Sequence, residues 1–272
     1  SQAIFVMNAD VRTDIYMIAP MMAGIWQLTA YFKYQQIKNL ILGSIAISFS
    51  MMGKGPIGIL IPLIAVVSNQ IFKKNLKHIL NLKLLIGALI IFLFLLPMSY
   101  GLYTQFGYRG LEFYYWTNSF GRITGSSNWN NNTGLTYLFG VFLYAFLPWT
   151  FLFLWAFIKR IKNLFLTKAL NIKHLEIISF ICFIVPLIML SLSGYKLPHY
   201  IYCVFPFAAI LTADMIERKW QNKKINKYIF LIQITTVLIT LVFVYTVSIY
   251  ISPKNMGFYI VPIVITFVFL LI

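Results

Sequence analysis

Two carboxylates four residues apart, Asp10 and Asp14, stand in the run Asn8-Ala9-Asp10-Val11-Arg12-Thr13-Asp14, directly ahead of an apolar stretch. If a helix has begun by then, the pair shares one of its faces. Alternatively, Asp10 caps the helix and Asp14 is a first-turn acid favoured by the helix dipole. A carboxylate at the edge of an apolar run and beside an arginine is also placed for acid–base or metal work. Asp14 is the better catalytic candidate of the two, and Asp10 the better cap.

Three further groupings carry charge where a plain connection needs none. Gly53-Lys54-Gly55-Pro56 lacks the spacing of a nucleotide-binding loop. Its glycines and its proline, set at a helix start, make an ordinary turn. The turn alone does not require Lys54, which either snorkels to the interface or holds a phosphate as a point charge. A stretch over 104–133 is rich in tyrosine and tryptophan and holds Arg109, Glu112 and Arg122. Aromatic residues are ordinary interfacial anchors, but a connection of that length is typical of lids and binding loops. Asn131-Asn132-Thr133 fits a glycosylation pattern that three adjacent asparagines make without meaning. Ser193-Gly194-Tyr195-Lys196-Leu197-Pro198-His199-Tyr200 is short yet brings a lysine, a histidine and two tyrosines between two apolar runs. Lys196 and Tyr200 suit an anionic headgroup; His199 at a helix start reads first as a polar cap. No Ser/His/Asp triad, zinc-ligand spacing or dinucleotide loop is visible. Cys182 and Cys203 lie inside apolar runs and read as inert thiols.

The elements that must position these residues are apolar helices. Of 272 residues, 60% are hydrophobic and 10% charged, whereas a soluble domain carries about 25% charged residues. Runs near the length that matches a bilayer core of ~30 Å give nine expected helices, over 12–32, 39–53, 55–72, 84–103, 134–158, 175–193, 199–217, 228–251 and 257–272. The fold class is thus an all-α, polytopic transmembrane bundle. The second and third helices are short for full spans: either they tilt little or they form a hairpin around Gly53-Lys54-Gly55-Pro56. The net charge of +16 raises the question of nucleic acid. The lysines, however, cluster in short breaks between apolar runs, as cytoplasmic loops do. With alternating loops, one side (33–38, 73–83, 159–174 and 218–227) holds sixteen Lys and Arg, and the other holds six: Arg12, Lys54, Arg109, Arg122, Lys196 and Lys254. The first side is expected in the cytoplasm, where its charges serve topology and headgroup contact. Asp10, Asp14 and Glu112 share the external side with the six, and ionisable groups at membrane depth mark sites. The chain begins Ser-Gln-Ala, has no signal-peptide pattern and ends inside an apolar run; the expectation is a fragment cut at both ends.

Read in order, Asp10-Val-Arg-Thr-Asp14, Met52-Gly-Lys54-Gly-Pro56, Arg122, Phe146-Leu147-Pro148-Trp149, Lys196-Leu-Pro-His-Tyr200 and Phe205-Pro206 resemble the bacterial aminoarabinose transferase and protein O-mannosyltransferase superfamily. These are integral-membrane glycosyltransferases of the GT-C type. The resemblance runs from about 8 to 216; each motif is weak alone and the ordered set is fairly specific. It implies one transmembrane glycosyltransferase domain over 1–272, with a preceding helix and first external loop upstream. It implies transfer of a sugar from a polyprenyl-phosphate carrier to a lipid or protein acceptor, as in lipid A modification or protein glycosylation. The site would face the periplasm from the inner membrane. The main catalytic acid would lie upstream of residue 1, which would leave this fragment inactive alone. Asp14 matches the family's second acid, which in some members binds a divalent metal; no other cofactor is implied. Lys54, Arg122, Lys196 and Tyr200 match positions near the carrier phosphate. Glu112, Arg109 and His199 are candidates for acceptor or loop contacts, although the family often has Thr where this chain has His199. Two other functions compete: a transporter or flippase of lipid-linked sugars, which an inverted repeat would favour, and a scaffold subunit, in which these residues would not converge.

Overall fold

Every described element is helical. In this computed structural model the described residues are 13–75, 77, 81–121, 131, 133–166, 174–221 and 227–251. In chain order the helices are α1 (Thr13–Tyr34), α2 (Ile37–Lys54), α3 (Ile57–Phe72), α4 (Lys83–Phe106), α5 (Tyr108–Glu112), α6 (Tyr137–Ala145), α7 (Thr150–Leu166), α8 (His174–Ser191), α9 (Phe205–Gln221) and α10 (Lys227–Ile251). A π-helical segment, Phe113–Gly121, follows α5, and a 3-10 segment, Pro198–Val204, leads into α9.

Three expected elements come out differently. The helix expected over 134–158 is two helices, α6 and α7. Pro148 lies in the break; it has no N–H and disfavours the helical conformation at Leu147 before it. The Thr150 hydroxyl bonds the Leu143 carbonyl across the break at 2.7 Å. The connection expected over 104–133 is helical as far as Gly121. It contains no proline, and aromatic residues are only mildly unfavourable in helices. The helix expected over 199–217 starts with the 3-10 segment and is α-helical only from Phe205. The helix expected over 257–272 lies outside the described residues.

The hairpin at Gly53-Lys54-Gly55-Pro56 is present. Gly55 has φ +69°, a left-handed value that only glycine adopts freely. Its N–H closes on Met51 O at 2.6 Å. Pro56 then starts α3 without wasting an N–H. With 16 residues, α3 is about 24 Å long, short of a ~30 Å bilayer core. By length and composition, two stretches among the described residues could cross a membrane: Lys83–Phe106 and Pro198–Trp220. Helix α4 is apolar along most of its length, yet among its residues only Gly87 and Leu95 are buried. Pro20, Pro62, Pro97 and Pro186 all sit inside helices. In water each would cost about 3 kcal/mol; such prolines are more frequent in transmembrane helices.

The main core gathers apolar side chains from α1, α3, α6, α7, α8, the 3-10 segment and α9. Its centre is aromatic. The Phe142 ring meets Phe146, Phe153, Phe183 and Phe205 at centroid distances of 5.2, 5.0, 5.0 and 5.7 Å. The Phe146 ring is stacked and the other three are edge to face; such pairs add roughly 0.5–1.5 kcal/mol beyond burial, and Phe205 anchors the first residue of α9 to them.

Candidate functional site

The close approach of α1, α2 and α3 determines which helix ends meet. A Cβ on Gly53 would lie 3.0 Å from Met17 N, and one on Gly58 would lie 2.5 Å from the carbonyl carbon of Ser50. The Ser50 hydroxyl donates to Met17 O at 3.1 Å. Asp14 is one turn before Met17 and Lys54 is one turn after Ser50, so the two side chains face each other at the same end of the hairpin.

There the Lys54 ammonium pairs with Asp14 Oδ1. Asp14 is 3% exposed, and the Lys54 side chain is 20% exposed. The second carboxylate oxygen, Oδ2, lies 3.9 Å from His199 Nε2. The ammonium also sits 4.5 Å above the centroid of the Tyr200 ring. The His199 and Tyr200 rings meet edge to face at 5.0 Å. Four side chains from three segments thus share one point: a carboxylate, an ammonium, an imidazole and a buried phenol ring. Asp14 also occupies the first turn of α1, where the helix dipole favours its negative charge. The dipole and ion-pair readings of this residue hold together.

Tyr114 braces the hairpin from the π-helical segment. Its hydroxyl lies 2.6 Å from Met51 O and 2.9 Å from Met52 O as donor, and accepts from Gly55 N at 3.3 Å. Met51 O already accepts from the Gly55 N–H, while Met52 O, four residues before Pro56, has no helical N–H to accept from and is served by this hydroxyl. Burial, with Tyr115 adjacent, pushes its pKa up to about 12, so the hydroxyl keeps its proton. Tyr115 bonds Ser99 of α4 at 2.7 Å, tying the segment to a second helix. Neither residue belongs to the charged set that sequence reasoning picked out; in sequence both look like interfacial aromatics.

Lys196 has another partner. It is 5% exposed, and its ammonium donates to Thr133 O at 2.7 Å. Its backbone N–H donates to Asn131 Oδ1 at 3.2 Å, an oxygen that also accepts from the Thr133 hydroxyl at 3.0 Å. Asn131 and Thr133 thus tie the 131–133 stretch to Lys196 in the 193–200 segment. Arg109 and Glu112 are exposed on α5. Asp10, Arg12 and Arg122 lie outside the described residues. Among the described residues no three His, Cys, Asp or Glu side chains gather as metal ligands, and Asp14 already has a cation beside it. The described donor set does not fit a metal.

An apolar groove of about 680 Å³ opens beside this end, lined by Tyr16, Pro20 and Ala23 of α1 and Ile45, Phe49 and Met52 of α2, among others. Its lining runs from Ala23 to Thr13 along α1, about 15 Å at 1.5 Å per residue, on a different face of the helix from Asp14, and includes none of Asp14, Lys54, His199 and Tyr200.

No protein-family model and no curated protein matches this chain. A solved structure does: ArnT from Cupriavidus metallidurans, crystallised bound to undecaprenyl phosphate. The two superpose with a TM-score of 0.64 at 18% identity, over 90% of this chain and 42% of that one. The chain therefore spans less than half the length of that protein, and over that part the described residues share its all-helical fold.

Proposed function

We propose that this chain is part of a multi-pass membrane glycosyltransferase that takes a sugar from a polyprenyl-phosphate carrier and passes it to a lipid or protein acceptor at the external face of the bacterial inner membrane. The observation that carries the reading is the Asp14–Lys54–His199–Tyr200 cluster, an ammonium, a carboxylate, an imidazole and a phenol ring brought together from three segments. A polyprenyl phosphate brings an anionic head to the membrane surface, and the Lys54 ammonium of the cluster offers it a matching charge. The fold of ArnT, itself solved with undecaprenyl phosphate, supports the same pairing. The charge asymmetry of the loops supports the external placement.

In the transfer, an acceptor oxygen attacks the anomeric carbon, the bond to the carrier phosphate breaks, and its electron pair stays on the phosphate. The acceptor proton goes to a base. An ammonium has three N–H donors; Lys54 places one on Asp14 and has others to turn toward the leaving phosphate, whose growing charge it stabilises. Asp14 holds that ammonium in place and, with Oδ2 toward His199, has lone pairs left for the acceptor proton. Arg122 and Asp10 belong to this proposal as a second phosphate cation and a further acid, with Lys196 holding the loop that carries His199 and Tyr200.

The test is donor kinetics in the full-length protein with a panel of radiolabelled polyprenyl-phosphate sugars. Lys54→Ala is expected to lower kcat/KM by about 10- to 100-fold, the equivalent of a charge-assisted hydrogen bond, and Lys54→Arg to keep part of the activity. Unchanged kinetics in Lys54→Ala would remove the residue from the site. Carriage of the lipid-linked sugar across vesicles without transfer would make the protein a flippase.

A further inference from the structure

The opposite end of the bundle carries a second cluster of charge, built quite differently from the first. Helix α9 starts beside Tyr200 and runs to Gln221. Lys219 is therefore about 20 Å along the helix axis from Phe205. There α7 and α9 enclose a cavity of about 480 Å³, within the ~300–1,000 Å³ range of small-ligand sites. Its floor is apolar, from Ala156, Leu211 and Met215. Its polar lining has Lys159, Arg160, Arg218 and Lys219 against one carboxylate, Asp214.

Lysines that only set topology act singly and are loosely held. Here the half-buried Asp214 takes Arg218 Nε at 2.9 Å and Arg160 Nη2 at 3.5 Å through the same oxygen, Oδ2. One carboxylate thus fixes guanidiniums from two helices and leaves an excess of positive charge around the cavity. Lys219 is steadied over the Trp155 ring at 5.7 Å. Guanidinium forks match phosphate oxygens, and an apolar floor beneath a basic rim matches a phosphate that carries acyl chains. Basic pockets between membrane helices on the cytoplasmic side suit such headgroups.

We infer that this cavity binds the phosphate headgroup of an anionic membrane lipid, at a site separate from the Asp14 cluster. The inference rests on the membrane placement proposed above and on no step of sugar transfer. The measurement is native mass spectrometry of the detergent-purified full-length protein, titrated with phosphatidylglycerol and, separately, phosphatidylcholine, with no polyprenyl donor present. Phosphatidylglycerol is expected to be retained at about tenfold lower concentration, a difference that a modest charge-assisted contact supplies. The Lys159→Ala/Lys219→Ala variant is expected to lose that preference; both lysines lie outside the Asp214 pairs, so the ion pair between Arg160 of α7 and Asp214 of α9 stays. The Lys33→Ala/Lys38→Ala variant, which removes the same charge from the α1–α2 turn, is expected to keep it. Equal retention of the two lipids, equal loss in the two double variants, or displacement by millimolar inorganic phosphate would each overturn the lipid site. A protein recovered in the soluble fraction would overturn the membrane reading itself, and a failed Lys54 donor assay would leave the lipid readout intact.

Discussion

An ion pair in a dry setting is held in place by what its removal would leave behind. Asp14 is almost fully buried, and Lys54 reaches it from the end of α2 with Tyr200 beneath. Replacing one partner strands the other charge, which costs about 3 kcal/mol or more, whereas replacing both by apolar groups is often near neutral. Asp14→Leu and Lys54→Met are therefore each expected to destabilise the full-length protein on the order of 3 kcal/mol in denaturant titration, and the double variant to recover most of the loss. Additive losses would show that the two side chains do not depend on each other. At this scale the sequence was legible in part. Residue type and position at helix ends singled out Asp14, Lys54 and Tyr200, which the structure brings together. The pairing itself was not legible. Spacing places a lysine at a helix end but does not say which oxygen its flexible stem will reach. Lys54 was matched to a phosphate and meets Asp14; Lys196 was matched to the same phosphate and meets Thr133 O. His199 read as a cap because a lone histidine in sequence carries no geometry, and only the turn of the 3-10 segment sets it beside Asp14 Oδ2.

Between elements, backbone approach rather than side-chain chemistry decides where those residues land. A Cβ on Gly58 would meet Ser50 C, Ser50 O and Met51 N at 2.5, 2.6 and 2.7 Å. All three are backbone atoms of α2, so no rotamer change relieves them, and α3 must move away from the turn that carries Lys54. Gly58→Ala is expected to cost about 1–3 kcal/mol, in the range of overpacked cores, and to lower donor turnover along with stability. Gly101→Ala is the matched control, because nothing lies within 4 Å of its added Cβ in α4. It is expected to be neutral or to stabilise by up to about 1 kcal/mol. Equal effects at the two positions would mean that the α2–α3 contact does not set the site. The helices themselves were legible from apolar runs and their Gly, Pro and Lys boundaries. The misreadings came where two signals compete. A continuous apolar run hid the break at Pro148, and a dense aromatic and polar stretch hid the helix that places Tyr114 and Tyr115.

Across the whole molecule the two charged clusters define opposite poles. The chain reverses at Gln35-Gln36 between α1 and α2 and at Gly55-Pro56 between α2 and α3. The lysines of the first turn therefore lie at the far end from Asp14, and so does Lys73 at the end of α3. The 3-10 segment and helix α9 carry the chain from Tyr200 to Arg218 and Lys219, and Arg160 of α7 meets α9 there at Asp214. The described basic residues at the ends of these connections, Lys33, Lys38, Lys73, Lys159, Arg160, Arg218 and Lys219, thus lie at the pole away from the candidate site. If the bundle spans the membrane as proposed, the positive-inside rule, which acts on such short loops, predicts the richer pole in the cytoplasm. Native Cys182 and Cys203 are fully buried, so a membrane-impermeant maleimide should leave them alone in the folded protein. With cysteine placed at an exposed position of each pole, Arg109→Cys should label in intact cells and Asn163→Cys only after the membrane is opened. The reverse pattern would turn the Asp14 cluster toward the cytoplasm. The carrier-dependent reaction would then face the wrong compartment, and the basic cavity between α7 and α9 would lie on the outer leaflet. Labelling of both positions in intact cells would mean that the bundle does not separate its poles across a membrane at all.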